Sequence, residues 1–395
     1  MRVVRDIDVA EEAVQDAYVQ ALRRWERDGV PDRPGAWLTT VARRTGFNLL
    51  QRRRTLETKL PLLIDRRPAA GDGVDAEVAD APAIADDRLR LVFTCCHPAL
   101  APEAQVALTL RLVCGVPTAD IARGFLVADS TMAARLTRAK KKIATARIPY
   151  AVPSAAELPE RLDAVLTVIH LLYATGHTAP SGADLVRHEL CDRALDLAVL
   201  VRHLLPAERE AAGLHALLLA HHARRATRVD GAGKLLRLEE QDRTQWDAST
   251  IAEADRLIVA ALRAGPPGRF TLQAAIAAVH AQAPSYEATD WPQIVALYDE
   301  LLRAWPSPVV ALNRAVAVAE VEGPAAALAL VEALERDDRL AGYRYLPATK
   351  ADLLHRLDRH AEAADAYRAA LRLTDNATEQ EFLTERASAA DADSG

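Results

Sequence analysis

At 395 residues the chain is long enough for about two to four domains, each with a sizeable core. Half of its residues are hydrophobic, chiefly Ala, Leu and Val, and only 5% are aromatic, which predicts an all-α protein. The formal net charge of −6 excludes a protein that coats nucleic acid with its whole surface, so any nucleic-acid footprint has to be local.

Residues 9–25 read as an amphipathic helix, with Val14, Tyr18, Leu22 and Trp25 along one face and Glu11, Glu12, Gln15 and Asp16 on another. The stretch 28–35 holds two prolines and two glycines and reads as a turn. A second helix is expected over 36–60. It opens Ala36-Trp37-Leu38 and carries Arg43, Arg44 and the basic run Arg52-Arg53-Arg54, with Lys59 beyond. Gly46 inside it costs on the order of 1 kcal/mol against Ala, which packing of Trp37, Leu38, Val41 and Leu49 has to offset. Periodicity is lost over 65–87, rich in Asp, Ala, Gly and Pro, a flexible acidic linker.

Order resumes near Asp86. The four cysteines, Cys95, Cys96, Cys114 and Cys191, form no C-x-x-C pair, and no run reads as a signal peptide or membrane span, so a reduced, cytoplasmic setting is expected. Adjacent cysteines rarely converge on one tetrahedral ion, which makes Cys95-Cys96-His97 buried thiols rather than a metal site. Within 118–147 a short amphipathic segment (Ala119, Ile121, Ala122) meets a bend at Gly124-Phe125. A second segment then opens Asp129-Ser130-Thr131 and has no acidic residue from Ser130 through Arg147. Met132, Leu136, Ala139 and Ile143 recur at helical spacing and predict a core face, while Thr131, Arg135, Arg138 and Lys142 fall on another side. Asp129 or Ser130 is the expected N-cap. Two helices joined by a short turn, the second basic, form a helix-turn-helix that can enter a DNA major groove. The plainer reading is a solvated basic face.

Residues 148–153 form a shorter break, and only helices are expected beyond it. Leu162, Val165, Val168, Ile169 and Leu172 make one apolar face; Leu195, Val199, Leu200 and Leu204 make another. Two segments resemble helical-hairpin repeats. The first runs from Pro308 through Ala317, then Gly323-Pro324 and an Ala/Leu-rich helix. The second spans 348–357 and 360–371 around Asp358-Arg359, with Tyr367 late in its second helix. Such repeats stack into concave surfaces that bind peptides or other domains. His188-Glu189-Leu190-Cys191 lacks the second His of a zinc protease, and Gly231-Ala232-Gly233-Lys234 lacks the spacing of a phosphate loop. No Gly-x-Ser-x-Gly motif occurs, and His221 and His222 read as surface or core histidines rather than ligands. Neither an enzyme nor a cofactor is expected.

The order helical pair, acidic linker, helix-turn-helix resembles a bacterial RNA polymerase sigma factor of the extracytoplasmic-function type, in the sigma-70 family. The resemblance rests on AEEAVQDA (10–17), PGAWL (34–38) with Ala42-Arg43-Arg44 and Arg52-Arg53-Arg54, and LTLRL (108–112). It rests further on Ile121-Ala122 and on Met132 to Leu136 with Arg138-Ala139-Lys140. Cys95-Cys96-His97-Pro98-Ala99-Leu100, DRTQW (242–246) and LQAAIAAVHA (272–281) resemble the class with a C-terminal tetratricopeptide-like extension. The resemblance implies a region 2-like unit at 1–64, N-terminally short because the chain opens at what looks like the middle of the first conserved helix. It further implies the linker at 65–87, a region 4-like unit at 88–148 and a helical extension at 154–390. Arg44 and Asn48 stand where the class more often has Asn and Asp, and 173–177 where it has an Asn-Glu-Gly-Tyr-like turn.

The resemblance also implies partners and roles. Glu11, Glu12, Gln15 and Asp16 would face core RNA polymerase. Asp32, Arg33 and Trp37 would capture an unstacked −10 base, with Arg43, Arg44, Arg52, Arg53 and Arg54 on phosphates. Ser130, Thr131, Ala134, Arg135 and Arg138 would meet the −35 element of promoter DNA, with Lys140, Lys141 and Lys142 near its phosphates. An Arg bidentate to guanine discriminates by about 1–3 kcal/mol. The extension would regulate through a protein or intramolecular partner, and no membrane partner is implied. The competing reading is a stand-alone helix-turn-helix regulator with a helical sensor or interaction domain; a third is a scaffold using the repeats.

Overall fold

A computed structural model describes residues 7–59, 87–125, 127–179 and 181–393, and these are overwhelmingly helical. The acidic stretch 65–87 lies outside the described residues except for Asp87, where the third helix starts. No described helix is long and apolar enough to cross a membrane.

Helices α1 (Ile7–Asp28) and α2 (Pro34–Lys59) pack as an antiparallel pair. Pro34 and Gly35, expected in the turn, begin α2 instead; a proline at the first helical position loses no intrahelical hydrogen bond. The face of α1 also differs from expectation. Ile7, Val9, Ala13, Ala17 and Ala21 are buried, whereas Val14, Tyr18 and Leu22 are 45%, 56% and 74% exposed. Alanines let two helix axes approach closely, so the small-residue stripe takes the contact and the bulkier one faces outward. Trp25 and Trp37 pack together at the turn end of the pair, their rings 5.5 Å apart.

The next unit contains α3 (Asp87–Cys95), α4 (Pro102–Leu108), a π-helical turn (Thr109–Val113), α5 (Thr118–Gly124) and α6 (Asp129–Thr145). Cys95 and Cys96 are buried thiols, and Cys96 Sγ lies 3.5 Å from Thr109 Oγ1. Burial pushes the Cys96 thiol up to about 12. The His97 side chain serves the backbone: its Nδ1 accepts from Ala99 N at 3.1 Å, while Gln105 Nε2 donates to the His97 and Leu100 carbonyls.

The core of this unit is continuous with that of the helices that follow. Val92, Phe93, Val106, Leu110, Met132 and Ile143 belong to one apolar cluster with α7 (Leu158–His177), α8 (His188–Leu204) and α9 (Arg209–His222). Arg161 on α7 donates to the Phe93 carbonyl, and Thr94 Oγ1 donates to that of Pro149 at 3.2 Å. The α7 face is buried as expected. On α8 the buried residues are Leu190, Ala194, Leu197 and Val201, while Val199 is 43% exposed, so the expected Leu195–Val199 stripe flanks the contact instead of making it. Residues 173–177 are the last turn of α7 and not a separate turn; Gly176 there sits against α8, where a Cβ would meet Leu190 Cβ at 2.8 Å.

Beyond α9 come α10 (Ala248–Arg263), α11 (Arg269–Gln282) and α12 (Trp291–Ala304). The hairpins α13–α14 (Pro308–Val321, Pro324–Leu334) and α15–α16 (Tyr345–His355, His360–Leu371) follow, then α17 (Ala377–Asp393). Glu210 of α9 caps α11, accepting from Phe270 N at 2.8 Å and from Thr271 N at 3.3 Å, which satisfies two free donors of its first turn. One turn on, Gly213 lies so close to α11 that a Cβ would meet Thr271 N at 2.7 Å. The all-helix expectation is not met everywhere: an isolated antiparallel bridge joins Val229 and Leu235, and strands β1 (Ser181–Gly182) and β2 (Asp375–Asn376) pair in parallel and tie the end of the array back to the α7–α8 loop. Asn376 Nδ2 donates to the Asp184 carbonyl at 3.0 Å in the same junction.

Gly213→Ala is expected to destabilise the protein by about 1–3 kcal/mol, because backbone has to move. Val199→Ala is expected to stay within about 0.5 kcal/mol. Thermal unfolding of the two variants measures both; equal losses would refute the assigned faces.

Candidate nucleic-acid interface

The bend between α5 and α6 is held by backbone bonds: Phe125 N donates to the Ile121 carbonyl and Val127 N to the Ala122 carbonyl. The N-cap of α6 is Ala128, with no side-chain cap, so neither Asp129 nor Ser130 has the expected capping role. Asp129 is the first helical residue, where its charge complements the helix dipole. Met132, Leu136, Ala139 and Ile143 are buried as the spacing predicts. That burial turns Ser130, Thr131, Ala134, Arg138, Lys141 and Lys142 outward, all exposed, with Arg135 half-buried. The Arg135 guanidinium lies 5.7 Å from the centroid of the Phe125 ring, which restrains it at the helix face. Arg135, Arg138 and Lys142 line an open groove of about 310 Å³ against Leu100 and Ala104. Glu103 also lines this groove, and beyond Asp129 the outward face of α6 is basic, the kind of helix face that can dock on DNA.

Residues 1–55 match the family described as Sigma-70 region 2 and residues 90–143 the one described as Sigma-70, region 4. Residues 161–262 match a family of unknown function, DUF6596. An uncharacterized protein of Rhizobium meliloti (strain 1021) is 45% identical over 389 residues, which cover 97% of this chain and 90% of that protein. The chain belongs to the sigma-70 family. It is a sigma factor of the extracytoplasmic-function kind with a C-terminal extension, and it binds promoter DNA.

In this sigma factor the region 2 residues fall into two groups. Asp32 and Arg33 are exposed in the loop before α2, and Arg43 and Arg44 are exposed along it. Trp37 sits inside α2, half-buried against Trp25, and is not part of the loop. Arg52, Arg53 and Arg54 lie on the helical backbone of α2, their side chains outside the described residues.

The second group meets region 4. Glu11 of α1 accepts from Lys140 Nζ at 2.6 Å and from Arg111 Nη2 at 3.0 Å, and Asp8 accepts from the same Lys140 at 3.1 Å. A residue expected on polymerase and one expected on DNA are therefore engaged with each other. Glu12, Gln15 and Asp16 remain exposed. Burial raises the Glu11 pKa, but the Lys140 hydrogen bond and charge, then Arg111, outweigh it and hold the carboxyl below its ordinary 4.5. Burial likewise lowers Lys140, and its bonds to Glu11 and Asp8 reverse this and hold it above its ordinary 10.5. Arg111, Asp8 and Phe125 carried no local signal of these roles, since two of the contacts span about a hundred residues or more.

One group among the described residues could hold a metal ion: His355, His360 and Asp393, with ligand atoms within 4.8 Å of one another. The two imidazoles already face each other, Nδ1 to Nδ1 at 3.3 Å, a hydrogen bond that accounts for the pairing without an ion.

Glu11 is depressed, so its contribution to the α1–region 4 contact is present above its ordinary value and lost as pH falls through its lowered pKa. Lys140 is raised, so its part persists below 10.5 and is lost only as pH rises through its higher folded value. Amide exchange of α1, corrected for intrinsic rates, is expected to be flat across neutral pH and to accelerate on acidification below 4.5. Glu11→Gln should accelerate it at pH 7 by removing a contact worth on the order of 1 kcal/mol.

Proposed function

We propose that this sigma factor binds core RNA polymerase, reads the −35 element with α6 and the −10 element with the α1–α2 end of region 2, and is governed by its helical extension. The observation that carries this reading is the outward basic face of α6, set by its buried Met132–Ile143 stripe. Region 2 supports a protein partner. Val14, Tyr18 and Leu22 form an exposed apolar stripe on the same helix as Glu12, Gln15 and Asp16, an arrangement that a partner surface would cover. The Glu11–Lys140 contact makes the free chain a closed form, and engaging DNA with Lys140 requires that contact to break. The extension governs region 4 in this reading because the two share a core.

Purified protein with core polymerase is expected to give promoter-dependent transcripts, and to bind promoter duplex weakly without polymerase. Tight binding by the free chain, unaffected by core enzyme, would favour the stand-alone regulator. Arg135→Ala should weaken recognition selectively at the −35 position it reads, by about 1–3 kcal/mol. Lys141→Ala should weaken all sequences alike and lower the salt slope by about one unit, whereas Glu11→Gln should raise the slope of the free chain by about one as Lys140 becomes available. Equal effects of all three on every promoter variant would refute these roles. Truncation after Val152 should abolish promoter-dependent transcription in cells, since it strips the cover from Phe93 and Val106; unchanged transcription would remove the extension from the mechanism.

A further inference from the structure

The extension encloses a cavity of about 240 Å³ between α9, α11, α12 and α13. Its wall is mixed. Ile276, Leu301 and Val310 supply an apolar side, and Arg224, His221, His280 and Tyr298 supply polar groups. The volume falls below the roughly 300–1,000 Å³ of drug-sized sites, so an occupant is compact.

Arg224 is the unusual member. It lies deep in the domain, yet retains surface that faces the cavity. Its neighbours Arg225, Arg228 and Arg243 are each spent on main-chain carbonyls: His222 for Arg225, His177 for Arg228, and both His280 and Ala283 for Arg243. Arg224 holds no such carbonyl. Its side-chain partner is His221 Nδ1 at 3.2 Å, and among the described residues no carboxylate pairs with it. Burial first, then the charges of Arg228 and Arg243, pull its guanidinium down to about 10, so it stays cationic at neutral pH. The imidazoles beside it are neutral there: burial and then Arg224 hold His221 well below its ordinary range and His280 at about 4.

One further lining residue carries an unsatisfied nitrogen: His280 Nδ1 is buried without a hydrogen-bond partner, and Trp246 lines the cavity beside it. A cation with no counter-charge, beside an orphaned nitrogen and an open volume, lacks what a bound anion would provide. Each of these groups is costly to bury alone.

We propose that this cavity binds a compact organic anion, its carboxylate or phosphate held by Arg224 with hydrogen bonds from His280 and Tyr298, and its body against Trp246 and Ile276. The site lies on α9 and α11, and α9 belongs to the core shared with region 4. An anion sensed here reaches the DNA-reading unit through that core, a consequence that rests on the sigma-factor reading; the binding itself does not.

The test is equilibrium dialysis of the full-length protein against radiolabelled inorganic phosphate and, separately, radiolabelled acetate, with sodium chloride fixing ionic strength. Saturable binding of one anion per chain is expected for at least one probe; phosphate alone points to a phosphomonoester ligand and acetate alone to a carboxylate. Arg224→Gln should weaken it by about tenfold or more, as loss of a charged hydrogen-bond partner does. A Lys141→Ala/Lys142→Ala variant should bind as the wild type, which separates the cavity from the DNA face. If Arg224→Gln does not fold, Tyr298→Phe, which removes one oxygen, carries the same test with an expected severalfold loss. No saturable binding of either probe, or wild-type binding by the folded cavity variant, overturns the proposal. Neither polymerase nor DNA is present, so a negative result leaves the promoter reading standing.

Discussion

One constraint organises the molecule: the core of the helix-turn-helix unit runs without a break into that of the extension. α3 and α4 are short, and Phe93 of α3, Val106 of α4 and Leu110 of the π-helical turn join α7, α8 and α9 in a continuous cluster. A unit of about sixty residues buries too small a share of its surface to be more than marginally stable alone. Fusing it to a larger helical body solves that problem and fixes where α6 points. In the proposed function this makes the extension part of the DNA-reading device. Arg161 of α7 reaches the Phe93 carbonyl, and Thr94 reaches that of Pro149 in the segment joining the two units.

The same body contains its own contrast between tight and open packing. At the α9–α11 crossing, Gly213 and the Glu210 cap leave no room for a methyl group. Two turns further along, the same helices together with α12 and α13 surround a cavity lined by His221 and His280. Tight contact at one end and a void at the other follow from crossing helices at an angle. What does not follow from packing is the polarity of the void, because a gap left by helix geometry alone would be lined by leucines and alanines.

The class, the helix-turn-helix and the α6 core face were legible because each rests on local periodicity over one helix. On α1 the buried face departs from the more hydrophobic one for a physical reason. Periodicity ranks stripes by hydrophobicity, whereas close helix pairs select stripes by size, so Ala13, Ala17 and Ala21 displaced Tyr18 and Leu22. Helix starts shifted as well: α6 begins after Ala128 without the expected polar cap, and α2 begins at Pro34, two residues before the expected Ala36. The long-range partners, Glu11 with Lys140 and Arg224 with its cavity, left no trace in local sequence. Only folding brings residues 129 positions apart to 2.6 Å.

The Glu11–Lys140 pair sharpens what a net charge of −6 means for a DNA-binding chain. Acidic residues do not merely dilute the basic face of α6; Glu11 and Asp8 occupy its innermost lysine. Lys141 and Lys142 stay exposed on the same helix. The free chain thus presents a basic face reduced by one cation, and a carboxylate competing for that cation behaves as a phosphate would. Such competition weakens duplex binding by the free chain most at low salt, where each phosphate contact is strongest. A partner that draws Glu11 away would restore the missing contact, so in the proposed function polymerase binding and DNA binding are coupled through a single side chain.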